Sequence, residues 1–421
     1  MVNIDYLYNK EYAIEKVGKE AFFESPLVDK KLSYKVIENG YILPFINIDG
    51  GVANEDGSYV ENTGLHNYLG SGYEFDKSTA QVSNETVIYI GELHNVWGHN
   101  ITDCISRFWF LFSKEYEEKF KGVKIVFSSY AAFRFSNNFK ELLELLGVNY
   151  LELVRVNEIT KFDKIIIPDR CFFNDEKGKR YFTKEYRELI NKISSEVEPS
   201  KEEKYEKIYL TCTHFSKKQV GEEKLERFFK SKGYAIIAPE EYTLKEQLAM
   251  YKRCKSLAST DGSATHNSLF VNEGTEILTI PRAWFYTEYQ LAINHVKELK
   301  IFYIDSNLSV LIPKEEFRWV GPFYYFVSEN LLKYFGENDK PKRFWKKQLK
   351  DFKEYYMIIA SKNDKNRVPT PVPYKEVAKY YLEKAGIKKM PKHFINIRNK
   401  FYALKRRLKI KFKKTFLKKK V

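Results

Sequence analysis

The sequence predicts an α/β protein made of two similar units, each a doubly wound parallel sheet with helices on both faces. Three observations carry this expectation. From Glu85 onward, short β-branched or aromatic runs alternate with amphipathic stretches of helical period. Residues 196–206 (EVEPSKEEKYE) are charged, contain Pro199 and lack apolar periodicity, so they read as a linker. Beyond them the same alternation starts again.

Taken in order, residues 1–84 are rich in turn formers, as in Asp49-Gly50-Gly51, Asp56-Gly57-Ser58 and Gly70-Ser71-Gly72, and are expected to be an irregular segment packed on the first unit. That unit, 85–198, has strand candidates at 86–90, 123–127, 150–154 and 164–167, with helices at 97–112, 137–146 and 184–197. The second unit, 207–335, has strands at 207–211, 234–238, 256–259, 276–280 and 301–304, with helices at 222–232, 244–253, 265–271 and 287–299. Two such units suggest a cleft between two Rossmann-like domains. Ligands in these folds bind beyond the carboxyl ends of the strands. An aromatic-rich stretch (Phe317, Trp319, Phe323, Tyr324, Tyr325, Phe326) precedes residues 340–386, where helices are expected at 344–359 and 375–384 around a stiff proline spacer, 368–373 (VPTPVP).

The formal charge is +15, and all of the excess lies in the tail, 387–421, which carries 15 Lys and Arg and no acid. The body is balanced, so a nucleic-acid-binding surface is not expected there. Within the tail, Phe394, Ile397, Phe401, Leu404, Leu408, Phe412 and Phe416 recur at intervals of three and four. Apolar residues on one face and basic residues on the other suit a helix lying on an anionic membrane surface. A disordered basic end and a helix docked on the body are the alternatives. Asp5 and Glu11 stand where a signal peptide needs apolar residues, and no run approaches the roughly 18 apolar residues of a span. A cytoplasmic protein is expected, peripheral on the inner face of the plasma membrane. Cys104, Cys171, Cys212 and Cys254 are scattered and read as buried free thiols.

Three loops could carry chemistry. In GELHNVWGHNITD (91–103), Asp103 follows His99 by one helical turn, and a histidine beside a carboxylate can deprotonate a hydroxyl. The alternative is that His99 caps the helix and Asp103 pairs with Arg107. In STDGSATHN (259–267), hydroxyls, Gly262 and the amides at a helix start could hold a diphosphate, with His266 and Asn267 adding donors. An ordinary N-capped helix has the same composition. The third is Pro239-Glu240 at a strand end, followed by Glu246-Gln247, where a carboxylate could bind ribose hydroxyls or simply be solvated. GxxxxGK[ST], GxGxxG, DxD, HExxH and GxSxG are all absent. What remains is an enzyme that holds a phosphorylated donor with amides and basic groups and uses no metal.

In their order and spacing these loops resemble the glycosyltransferase family 61 type of capsular polysaccharide biosynthesis. The early motif is the strand 87–91, Trp97-Gly98-His99, Asp103 and Ser106-Arg107-Phe108-Trp109. The later one is the strand 236–238, Pro239-Glu240, Glu246-Gln247, the strand 256–259, Asp261-Gly262-Ser263 and His266-Asn267-Ser268-Leu269-Phe270, followed by Gly274 and the strand 277–280. The resemblance covers roughly residues 85–285.

It implies a GT-B fold, with two Rossmann-like domains facing a cleft. It also implies an inverting glycosyltransferase with neither metal nor other cofactor, using a nucleotide sugar, most often a uridine diphosphate sugar. Carried over by position, Asp261, Gly262, Ser263, His266 and Asn267 would line the donor diphosphate. Glu240 and Gln247 would lie near the nucleoside, and His99 or Asp103 would face the hydroxyl of a glycan or lipid-linked glycan acceptor. The family usually has an Arg just after the first strand of the second domain, where this chain has Cys212, so Lys217 or Lys218 would have to supply the diphosphate partner. A non-catalytic assembly protein that binds a glycan or nucleotide sugar and carries a membrane-associating tail is the alternative, supported by Cys212.

Overall fold

The computed structural model describes residues 1–7, 10–46, 49–64, 72–214, 219–282, 286–307 and 323–337. The chain begins with β1 (Val2–Tyr6) and two short helices, Lys10–Val17 and Lys19–Phe23. The strands β2 (Tyr34–Glu38), β3 (Tyr41–Ile46), β4 (Asp49–Ala53), β5 (Gln81–Glu92), β6 (Lys124–Ser128), β7 (Leu153–Arg155) and β8 (Thr160–Pro168) then build a seven-stranded sheet. Its order is β4-β3-β8-β5-β6-β7, and β2 also pairs with β8. β8, β5, β6 and β7 run parallel, whereas β2 and β3 are antiparallel to β8.

A hairpin follows, β9 (Phe172–Asn174) with β10 (Arg180–Phe182). The second sheet comprises β11 (Lys207–Leu210), β13 (Ala235–Ile237), β14 (Ser256–Thr260), β15 (Glu276–Ile280) and β16 (Lys300–Ile304), in the order β1-β16-β15-β14-β11-β13 and parallel throughout. A small parallel pair joins β12 (Gln219–Val220) to β17 (Phe323–Tyr324). The protein is therefore α/β, with one mixed and one wholly parallel sheet.

Local chemistry accounts for the helices. The helix Asn137–Leu146 is capped by Ser136, whose hydroxyl accepts from the Phe139 amide, and it ends at left-handed Gly147. The helix Leu244–Arg253 starts with a capping box between Thr243 and Glu246. Both match the sequence expectation. One buried cluster runs from Ile88 and Ile166 of the first sheet, through Leu142, Leu146 and Ile190 of its helices, to Leu248, Leu257 and Ile301 of the second. Apolar burial, at about 25 cal/mol per Å², thus ties the two sheets together.

The structure corrects several expectations. The described part of 1–84 contains regular structure: β1 completes the edge of the second sheet against β16, and β2, β3 and β4 belong to the first. The helix expected over 97–112 breaks into an α-turn, Trp97–Asn100, and a 3-10 helix, Cys104–Phe112. Between them, Thr102 Oγ1 donates to the Gly98 carbonyl at 2.8 Å and Ser106 Oγ to that of Asp103 at 2.6 Å, and such back-bonding competes with the helical ladder. The segment 265–271 is likewise a 3-10 helix, Thr265–Phe270. Residues 150–152 form a 3-10 turn initiated by Asn149, and only Glu288–Ile293 of 287–299 is α-helical. The linker 196–206 is docked rather than free, with Tyr205 buried and the Ser200 amide donating to the Ala249 carbonyl at 2.8 Å. The helices expected at 344–359 and 375–384, the spacer 368–373 and the tail 387–421 lie outside the described residues. No helix among the described residues is long and apolar enough to cross a membrane. All four cysteines are buried and free.

Candidate active site

β5 ends at Gly91 and Glu92, and the chain turns through His94 into the helical turn that carries His99. His99 Nδ1 lies 2.7 Å from Asp103 Oδ2, so the one-turn spacing does bring the two together. Asp103 is held from two further sides. Arg180 Nη1 donates to its Oδ1 at 3.2 Å from β10, and the Tyr289 hydroxyl donates to its Oδ2 at 2.6 Å from the helix Glu288–Ile293. The Arg180 guanidinium stacks 3.9 Å above the Tyr289 ring. A carboxylate paired with Arg only accepts, so the proton of this bond sits on His99 Nδ1. The His99 side chain is 26% exposed and that of Asp103 only 6%, so the ring is reachable while its orienting group is sealed.

The alternative pairing of Asp103 with Arg107 is absent. Arg107 points the other way and donates through Nη2 to the Asn62 carbonyl at 2.7 Å. Behind His99, the His94 ring lies 5.1 Å away, centre to centre, and His94 Nε2 is 3.1 Å from Glu92 Oε1. Burial raises the Glu92 carboxyl above its ordinary range.

The loop after β14 faces this pair. Gly98 is in close contact with it: a Cβ there would come 2.9 Å from Ser263 Oγ and 3.0 Å from His266 Cδ2. Trp97 Nε1 donates to Asn267 Oδ1 at 2.8 Å, and Asn267 Nδ2 donates to the Tyr251 hydroxyl at 3.2 Å. Asn267 is thus a brace between loop and helix. Gln247 is another: its Nε2 donates to the carbonyls of Pro239 and Tyr242 at 2.7 and 3.0 Å, and its Oε1 accepts from Tyr251. It fixes the turn that carries Glu240, whose carboxylate stands 3.8 Å from His214 Nδ1. Lys217 and Lys218 lie outside the described residues.

The composition of 259–267 is not explained by an N-cap, because the 3-10 helix there has no side-chain cap. Thr265 Oγ1 instead donates to the Thr260 carbonyl at 2.9 Å. Asp261 is buried, and its carboxyl is raised to about 6 by burial, against the opposing pull of Arg282 and bonds from the Gly262 amide and Thr287. It points toward Thr287 and Arg282. Gly262 has φ 136°, and a Cβ there would run into the Arg282 guanidinium, so glycine is required by both conformation and contact. His266 is fully buried, and burial lowers it to about 4, so it is neutral at physiological pH. Gln290 Nε2 donates to Ser268 and Asn294, which leaves Gln290 Oε1 to accept from His266 Nδ1 at 2.8 Å.

Sequence reasoning missed three residues. Arg282 follows β15 and brings a cation to the Gly262 loop where Cys212 cannot. Cys212 is buried and its thiol is pushed up to about 12, chiefly by burial. The rule that ligands bind beyond carboxyl strand ends pointed at Pro281-Arg282. Arg180 and Tyr289 had no comparable signal, since each reaches Asp103 from a separate element.

These side chains set a histidine–aspartate pair of the first sheet's side of the molecule against the loop that follows β14 of the second. Residues 97–278 match the family model of glycosyltransferase 61, so this part of the chain is similar to that family. The matched span opens on the Trp97-Gly98-His99 turn and closes in β15. No curated protein matches the chain. Among the described residues there is no group of three or more His, Cys, Asp or Glu arranged to hold a metal.

Proposed function

We propose that the protein is an inverting, metal-independent glycosyltransferase of GT-B organisation, moving a sugar from a nucleotide sugar, uridine-diphosphate-linked in keeping with the family resemblance, to a glycan acceptor in surface or capsular polysaccharide synthesis. The observation that carries this reading is the His99–Asp103 pair, locked by Arg180 and Tyr289 and set against the Gly262–Ser263 loop. His99 Nε2 takes the proton of the acceptor hydroxyl as its oxygen attacks the anomeric carbon. The bond from that carbon to the nucleoside diphosphate breaks on the opposite face, which inverts the configuration. Asp103 holds the ring and stabilises its cationic form. Charge developing on the diphosphate is met by Arg282 and by the amide and hydroxyl of Ser263, with Lys217 or Lys218 as further cations. Neutral His266 lines the wall without contributing charge. Glu240 faces the ribose, and Gln247 and Asn267 support the loops around the donor.

The reading also takes 387–421 as a basic amphipathic helix on the cytoplasmic face of the plasma membrane, close to lipid-linked acceptors. Its basic residues are worth about 1 kcal/mol each near anionic lipid.

The test is His99→Ala assayed for transfer and for nucleotide-sugar binding. Loss of a base lowers kcat by about 10²–10⁴-fold, while calorimetric donor affinity stays within a factor of a few. Near-normal turnover removes His99 from the mechanism. A protein that binds no nucleotide sugar at all is a scaffold and not a transferase.

A further inference from the structure

Away from the His99–Asp103 pair, a pocket of about 140 Å³ opens on the first sheet. That is several times the roughly 30 Å³ a water occupies in the liquid. Its lining runs from Lys30 to Asn174 and includes nothing from the second sheet. Lys30 and Lys35 stand exposed at the rim, and Arg107 and Arg170 form a buried base, 4% and 8% exposed. Each guanidinium makes a single hydrogen bond among the described residues, through Nη2 to a carbonyl at 2.7 Å: Asn62 for Arg107 and Gly64 for Arg170. Arg107 Nε and Arg170 Nε and Nη1 are buried without a partner there. Among the described residues no carboxylate forms an ion pair with either guanidinium, and Asp169 and Glu92 act on them only at longer range. Glu61 is exposed, and Asp169 accepts from the amide and hydroxyl of Ser33, both at 3.0 Å.

Two buried like charges side by side are unfavourable without a counter-ion. Burial and the neighbouring Arg170 charge accordingly lower Arg107 to about 9, which still leaves it cationic at neutral pH. Planar guanidinium forks with spare N–H groups match the oxygens of a phosphate bidentately, and the two Arg and two Lys around the pocket suit its double charge.

We propose that this pocket binds a phosphate group carried by the sugar acceptor. The word acceptor rests on the transferase reading above; the binding of phosphate does not. The placement supports both parts. β5 and β8 are parallel neighbours, so Gly91 at the end of one and Arg170 just beyond the other lie along the same rim of the sheet. Arg107 packs against Gly91, with Nε 3.5 Å from where a Cβ would be. Arg170 is electrostatically coupled to Glu92, which bonds His94, whose ring neighbours that of His99. An anion here therefore lies on the same rim of the first sheet as the segment leading to His99, and away from the donor loop of the second, where it does not compete with a nucleotide. Its source is either a phosphate on the glycan or the diphosphate that links a glycan to a lipid.

The full chain, saturated with uridine diphosphate, is titrated with inorganic phosphate and with pyrophosphate by calorimetry and thermal shift. Wild type binds at millimolar or lower concentration and melts higher. Arg170→Met abolishes the shift, and the rim variant Lys35→Glu, which leaves the buried base intact, weakens binding at least fivefold. Because no turnover is read, this result stands or falls independently of the transferase reading. No phosphate binding in wild type, or equal binding by Lys35→Glu, overturns the proposal even if Arg170→Met fails to fold. Displacement of bound pyrophosphate by a phosphorylated oligosaccharide, or by a polyprenyl diphosphate in detergent, identifies the source. Displacement by neither overturns the assignment to the acceptor.

Discussion

At the residue scale, buried titratable groups show how this protein departs from solution chemistry. Glu222 opens the helix Glu222–Ser231, and its carboxyl turns back to accept from the Tyr209 hydroxyl at 3.2 Å and the Cys212 amide at 3.0 Å. Burial raises it to about 7 despite those bonds. Because the folded pKa exceeds the ordinary 4.5, the folded state binds the proton more tightly. Stability is full below the unfolded value and is lost as pH rises from about 4.5 through 7. Glu222→Gln keeps both acceptor contacts and removes the ionisation. Its expected gain over wild type is on the order of 2–3 kcal/mol at pH 8 and near zero at pH 4, checked by urea unfolding at both values. Of the site itself, Asp103 was legible because a helical turn links it to His99. Arg180 and Tyr289 were not, since they lie 77 and 186 residues further along and only packing makes them neighbours. Gln247 and Asn267 illustrate the converse limit. Their side chains suit a ligand as well as a turn, and sequence does not say which partner takes the bonds.

At the scale of elements, alternation of apolar runs located β5 to β8, β11 and β13 to β16, nine of the seventeen strands described, because period two and period 3.6 are set by backbone geometry. It failed where side chains compete with the backbone, as at Thr102 and Ser106, and over 1–84, where Asp49-Gly50-Gly51, read as a turn, instead opens β4. The contact of the Gly98 turn with the Ser263–His266 loop joins the two motif regions. Gly98→Ala has no backbone conflict within its helical turn, but its methyl pushes the loop by a few tenths of an ångström. Misplacement of that kind costs up to about hundredfold in rate. The expected result is kcat reduced by roughly 10–100-fold with the melting temperature nearly unchanged, and an equal loss of stability would place the effect in folding instead.

For the whole molecule, the charge of +15 belongs to a region separate from the chemistry, since every residue of the candidate site lies in the balanced body. Deleting 387–421 is expected to release the protein from anionic liposomes in a sedimentation assay while donor binding stays intact. Retention of the truncated body on the liposomes would refute the membrane role of the tail.

The position of β1 has a consequence for how the chain is made and divided. A strand from the start of the sequence is the outermost member of the second sheet, paired with β16 from near the end of the described chain. During synthesis β1 emerges well before β16 and waits for its partner while the whole first sheet and most of the second are translated. The first sheet therefore folds inside a loop whose two ends it does not own, a long closure of the kind that slows folding. For the same reason no cut in the linker yields two self-sufficient halves: a fragment starting near residue 207 would present the edge of β16 bare, a ready template for association with another copy.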